Sequence, residues 1–209
     1  MKIVIFGSSG ETGKALVRQA LQRGHEVNAF ARRPGEIGIG DPRLHPLEGD
    51  VLDEASVRRA AEGMDAAVSV LGVRMGQPPS TVRSTGTANI VAALTAAGVR
   101  RFVSCSTVGA GGHLQTLPWL TRMMLPRIIG AWRLEEAGRQ EDIVRSSGLD
   151  WTVLRPPRLV DGPLTGKYRI GEDLVAGFGA KLTRGNLATA MLDQLESERF
   201  LRRLPIVRD

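Results

Sequence analysis

Cysteine is almost absent from this chain: Cys105 stands alone among 209 residues. A single thiol excludes an internal disulfide framework and fits a reducing compartment. The three histidines, His25, His45 and His113, lie far apart and make no metal-ligand spacing, so no metal is expected. Aromatic residues are scarce as well, nine in all with Tyr168 the only tyrosine, too few to interleave with the scattered arginines. Nucleic-acid surfaces gather charge on one face and interleave stacking aromatics. The net charge of +6 therefore does not predict a nucleic-acid partner. Lysine occurs only four times, and arginine, scattered as singles and doublets, supplies the basic excess as solvated helix faces would. No apolar run approaches the ~20 residues of a membrane helix. Met1–Phe6 reach Gly7 too soon for a signal-peptide core. The expectation is a soluble, cytoplasmic protein with no membrane partner. Its 42% hydrophobic and 24% charged residues suit one domain over 1–209 with a real core.

Short β-branched runs alternate with longer helical patterns. Strands are predicted at Ile3–Phe6, Val27–Ala31, Leu44–Leu47, Ala66–Leu71, Arg101–Ser106 and Trp151–Leu154. Helices are predicted from about Thr12 to Arg23, at Ser56–Gly63 with Asp53 as N-cap, at Thr85–Ala97 and at Arg133–Ser147. Parallel neighbours need crossover helices, so this alternation implies an α/β Rossmann-like fold, a doubly wound parallel sheet. From Pro156 to residue 209 the chain turns rich in Gly, Pro and Arg. This stretch reads as a small C-terminal substrate-side lobe, with a β piece at Tyr168–Ile170, a helix near Leu187–Glu196 and a final edge strand near Leu204–Val207.

The strongest motif is Gly7-Ser8-Ser9-Gly10-Glu11-Thr12-Gly13, between the first strand and the first helix. Glycine permits the tight turn and close approach of a pyrophosphate, and the helix N-terminus then faces that anion. Glycines alone would be a weak sign; in this position they predict dinucleotide binding through Gly7, Ser9, Gly10, Glu11, Thr12 and Gly13. An NAD site would place an acid at the end of strand two for the ribose hydroxyls. Here Asn28-Ala29-Phe30-Ala31 runs into Arg32-Arg33, whose guanidinium groups match a 2′-phosphate, so NADP(H) is the expected cofactor. The alternative is that both arginines merely flank a surface loop. Asp50 and Val51, after strand three, are placed at the adenine edge, though Asp50 also suits a plain turn. Leu71 and Gly72, with Arg74 following, are placed beside the phosphates.

These residues, with Gly86–Ala93, Ser104-Cys105-Ser106-Thr107, Ser147-Gly148-Leu149, Arg155-Pro156-Pro157 and Pro163–Tyr168, resemble the atypical short-chain dehydrogenase/reductase superfamily. Within it the chain is most similar to the group of biliverdin-IXβ reductase, which is also the NADPH-dependent flavin reductase. The resemblance implies nicotinamide held near Ser106, Thr107 and the turn Pro156, Pro157, Arg158, Leu159. It also implies hydride transfer to a planar conjugated acceptor such as a flavin or a linear tetrapyrrole.

Two departures narrow that reading. The Tyr-x-x-x-Lys pair of ordinary members is missing: Tyr168 is followed four residues later by Glu172, and the helix beginning near Arg133 has no lysine. The position that biliverdin-reducing members fill with histidine is Glu141 here, which favours flavin or quinone over biliverdin. Flavin or quinone reduction can draw its proton from solvent. Ser106 and Thr107 are the catalytic candidates, and their hydroxyls could equally satisfy backbone groups where the strand stops. Cys105 reads as a small buried hydrophobe. The Gly-rich start and Met-rich body of Gly109–Gly130 suit a lid over a flat ligand, or else core packing or a dimer contact. The expected function is an NADPH-dependent reductase of a flavin or quinone; the alternative is a non-catalytic NADP(H)-binding redox sensor. A small planar aromatic substrate is expected, on a monomer or homodimer.

Overall fold

The computed structural model describes residues 1–73, 76–177 and 179–209. Its centre is a parallel sheet of β1 (Lys2–Phe6), β2 (Glu26–Ala31), β3 (Leu44–Glu48), β4 (Ala66–Ser69), β5 (Arg101–Cys105) and β6 (Asp150–Leu154), in the spatial order β3-β2-β1-β4-β5-β6. Central strands are covered on both faces, so they read as continuous apolar runs instead of alternating ones. Ile3, Val4, Ile5 and Phe6 are all fully buried.

Two cores fill the two faces of the sheet. On one side α1 (Glu11–Gln22) and α6 (Arg184–Leu195) bury Leu16, Val17, Leu187 and Met191 against Ile3, Ile5 and Val103. On the other, α2 (Glu54–Ala61), α3 (Val82–Ala96) and α5 (Ala131–Ser146) cover Val4, Phe6, Phe102 and Val153 with Val57, Ile90, Leu94 and Val144. Asp53 caps α2 as expected, its carboxylate accepting from Ala55 N and Ser56 N. Gly86 lets α3 approach the sheet edge, because a Cβ there would sit 2.8 Å from a Val51 methyl.

The edges are finished differently. β3 contains Pro46, opposite Ala29, and an edge strand tolerates proline because one side of its backbone needs no ladder partner. Beyond β6 the segment Arg202–Val207 runs alongside, with Val153 N donating to Arg203 O and Arg155 N to Pro205 O. The predicted edge strand is thus present as β10 (Ile206–Arg208), which also pairs antiparallel with β8 (Arg169–Gly171). A second short pair, β7 (Arg158–Val160) with β9 (Lys181–Thr183), was not predicted. Asn186 ties the Thr165–Lys167 turn to this lobe, its Oδ1 accepting from Thr165 N and Gly166 N.

The segment Gly109–Gly130 forms a 3-10 turn at Gly111–Thr116 and the helix α4 (Trp119–Ile129). Core packing accounts for part of its apolar content, since Leu117 is buried and Leu114 and Leu125 pack beside it. Only Thr121 of α4 is buried, whereas Trp119, Leu120, Met123 and Ile128 are exposed. Among the described residues no helix is long and apolar enough to cross a membrane.

Candidate functional site

Strand order reverses between β1 and β4, and ligands of doubly wound sheets bind outside the carboxyl ends of the strands at such a point. A cleft of about 680 Å³ opens there, within the size range of cofactor sites. It is lined by Gly7, Ser9, Gly10, Arg32, Arg33, Asp50, Val51, Leu71 and Gly72, so nine of the predicted cofactor residues converge on one cavity. Arg74 lies outside the described residues.

The loop is built for an anion. Gly7 has φ of +85° and Gly10 is the N-cap of α1. With glycine there, the N-cap offers no side chain to take up the first-turn N–H groups, and among the described residues they stay available to a ligand. A Cβ on Gly10 would meet only Gly7 O, at 3.5 Å, so the space beyond is open. Gly13 serves packing instead: a Cβ there would lie 2.2 Å from Gly7 O. Glu11 points outward and pairs with Lys14 at 3.7 Å. Ser8 Oγ donates to Phe30 O at 2.9 Å, fastening the loop to β2.

Beyond β3, Asp50 Oδ1 accepts from Leu52 N at 3.0 Å, so the residue shapes its turn and faces the cleft at once. Phe30 stands edge-on to Phe6, with centroids 5.3 Å apart, and fills the space above Gly49 where any Cβ would collide. Arg32 and Arg33 are exposed at the rim. Among the described residues Arg32 makes no ion pair, while Arg33 lies 2.8 Å from Glu36.

Ser106 and Thr107 do not line that cleft; they stand further along the strand ends. Backbone bonds hold the two strand ends side by side, with Ser106 N donating to Leu154 O and Val108 N to Pro156 O. Thr107 Oγ1 lies 3.5 Å from Pro156 O, the backbone-satisfying role weighed from sequence. Ser106 Oγ is buried with no hydrogen-bond partner among the described residues, which leaves a polar group for a ligand to satisfy. Pro157 and Leu159 are half-buried and Arg158 is exposed where β7 begins. Cys105 is buried, and burial pushes its thiol up to about 11.

Three residues here were not among the predicted site residues, Glu141 having entered only as the place of a missing histidine, because each is brought in by a separate element. Arg83 on α3 is held by Gln140 Oε1 at 3.0 Å. Its guanidinium comes within 3.6 Å of where a Gly72 Cβ would stand, bringing positive charge to the cleft wall. Glu141 on α5 grips Arg155 through two hydrogen bonds of 2.9 and 2.6 Å, and its side chain is 4% exposed. His113 Nδ1 accepts from Gly109 N at 3.0 Å. Burial, then the Arg155 charge, lowers His113 to about 4.

Tyr168 lies elsewhere. Its hydroxyl donates to Asp193 Oδ2 at 2.5 Å, and Asp193 also pairs with Arg23 just past the C-terminus of α1. Burial, then the Asp193 carboxylate, pushes the phenol well above its ordinary value. Gly10 caps the other end of that helix, roughly 18 Å away at 1.5 Å per residue. Among the described residues no cluster of histidine, cysteine, aspartate or glutamate could hold a metal.

The open space at Gly10, the unclaimed N–H groups of α1 and the arginines at the rim all suit a dinucleotide. Comparison with known proteins agrees. A solved short-chain dehydrogenase/reductase from Veillonella parvula, in complex with NADP, shares the fold with a TM-score of 0.82 at 21% identity, covering 100% of this chain and 94% of that one. The protein YwnB of Bacillus subtilis is 31% identical over 214 residues, 96% of this chain and 97% of its own length. A 3-beta-hydroxysteroid dehydrogenase of Mycolicibacterium neoaurum is 34% identical over 139 residues, 58% of this chain but only 38% of that protein. A family profile described as NAD(P)H-binding matches residues 7–198. The chain belongs to this NAD(P)H-binding family.

Proposed function

We propose that the protein is a reductase that uses NADPH to reduce a planar conjugated acceptor, a flavin or a quinone. The observation that carries this reading is the location of Tyr168. The chain's one phenol is bound to Asp193, at the end of α1 opposite the dinucleotide loop. Ketone or alcohol chemistry with a protein phenol as acid has no group to perform it. Flavin and quinone acceptors take a hydride and draw the proton from water.

NADPH supplies the hydride. The free N–H groups at the start of α1 and the space beside Gly10 bind the pyrophosphate, with Arg83 adding positive charge from behind Gly72. Arg32 and Arg33 read the ribose 2′-phosphate. Ser106 Oγ, buried and unpartnered, orients the nicotinamide or the acceptor, and the paired ends of β5 and β6 keep its position fixed. Glu141 is committed to Arg155, so it does not replace the histidine of biliverdin-reducing members, which favours flavin or quinone over biliverdin.

The test is NADPH oxidation followed at 340 nm with FMN, riboflavin and menadione, against a ketone panel. Turnover on flavins or quinones and none on ketones is the expected result. Tight NADPH binding with no turnover on any acceptor would refute the reductase and favour an NADP(H)-sensing protein.

A further inference from the structure

Strand β2 ends without an acid, but the structure brings one back to the same place. The 3-10 turn Pro34–Ile37 follows Arg33 directly, and its Ile37 is buried in the core, which anchors the turn. Glu36 N donates to Arg33 O at 3.2 Å, so the turn folds the Glu36 side chain back over its own start. Its carboxylate reaches Arg33 Nη1 at 2.8 Å, and Glu36, Arg32 and Arg33 line the same end of the cleft. We infer that Glu36 is a specificity-determining residue that competes with the ribose 2′-phosphate for Arg33 and so admits NADH alongside NADPH.

The physical argument rests on exposure and charge. The Arg33 and Glu36 side chains are 70% and 44% exposed. An ion pair of that kind contributes little, and either partner exchanges readily. A phosphate monoester carries about −1.5 to −2 charges near neutrality and matches a guanidinium well. It therefore displaces the carboxylate from Arg33, and breaking that ion pair is the cost that Glu36 imposes on the phosphate. An unphosphorylated ribose leaves the ion pair intact and offers hydroxyl donors to the carboxylate, the role that an acid at the strand end fills in NAD sites. Arg32, with no ion pair of its own among the described residues, faces the phosphate unopposed.

The inference rests on the cofactor reading above, and one titration series separates the two. Dissociation constants for NADPH, NADH, adenosine 2′,5′-bisphosphate and 5′-AMP are measured on wild type, Glu36→Gln, Arg33→Gln and the double variant. Thermal melts check that each is folded. In Glu36→Gln, NADPH and adenosine 2′,5′-bisphosphate should bind about three- to tenfold tighter, and NADH about two- to threefold weaker. In the Arg33→Gln background the same change should give no gain for the phosphorylated ligands, because Glu36 acts through Arg33. Unchanged or weaker NADPH binding in Glu36→Gln overturns the inference, as does a gain that persists without Arg33. Those results leave the cofactor reading standing if wild type binds NADPH. A wild-type protein that binds none of the four ligands refutes both.

Discussion

Replacing Tyr168 with phenylalanine removes one oxygen and tests whether the C-terminal lobe takes part in chemistry. The hydroxyl's partner is the Asp193 carboxylate, and a hydrogen bond to a charged group contributes ~1.5–3 kcal/mol when shielded. Tyr168 is only half-buried, so water screens the pair and the expected loss is about 1 kcal/mol. For a chain of this size that lowers Tm by roughly 2–4 °C. Turnover should not follow, because the phenol is bound to Asp193, which pairs with Arg23 at the end of α1 opposite Gly10, and that helix is roughly 18 Å long. The assay pairs a thermal melt with NADPH oxidation on menadione or FMN. The expected variant melts slightly earlier and keeps kcat within about twofold. Ser106→Ala, measured beside it, should lose far more, since a misplacement of about 1 Å can cost ~100-fold in rate. The pH profile should stay shallow from about pH 6 to 8. The Tyr168 phenol titrates far above that window, and His113, lowered to about 4, titrates below it. A tenfold or greater fall in kcat for Tyr168→Phe, with its fold intact, would make the tyrosine a general acid and refute the mechanism.

Gly10→Val should abolish NADPH binding and keep the circular-dichroism spectrum, because the nearest atom to the new Cβ is 3.5 Å away and only a ligand would meet the side chain. Retained affinity would reduce the loop to a structural turn. Wild type should bind NADPH at least ~10-fold tighter than NADH, about 1.4 kcal/mol, and Arg32→Ala with Arg33→Ala should narrow the gap and weaken its salt dependence. Equal wild-type affinities would sink the 2′-phosphate assignment. Glu141→Ala strands the Arg155 charge in a site only 14% exposed and should cost about 3–5 kcal/mol in urea unfolding; a loss below ~1 kcal/mol would show that water reaches the pair. His113 is held below its usual 6.5 when folded, so the unfolded chain takes up the proton first. Stability should fall as pH drops below 6.5 and level off near 4, and His113→Asn should flatten that slope. An unchanged slope would refute the burial argument.

The doubly wound sheet was legible because strands buried on both faces must be apolar throughout, and Ile3–Phe6 or Phe102–Cys105 can be little else. The loop Gly7–Gly13 was legible because its chemistry lies in consecutive residues. What escaped depends on elements meeting in space. Arg83 reaches Gly72 across α3, and Glu36 returns to Arg33 only once Ile37 is anchored in the core. The strands β7 and β9 are three residues each, and pairing makes them strands more than propensity does. Tyr168 followed a Gly/Pro-rich stretch that suggested the substrate side, but its ring packs against the core by α1 and α6. The composition of α4 left a lid, core packing and a dimer contact open, and only the folded chain shows that Trp119, Leu120, Met123 and Ile128 are exposed.

The two margins of the sheet bear on self-assembly. Strands with free hydrogen-bonding edges invite sheet extension from copy to copy, the route to runaway aggregation. On one margin Pro46 interrupts the row of donors that an incoming strand would need. On the other, the backbone of Arg202–Val207 already occupies the β6 edge. A crowded solution of this protein thus meets two blunted margins on the central sheet, and both disfavour joining copies of that sheet through a shared ladder.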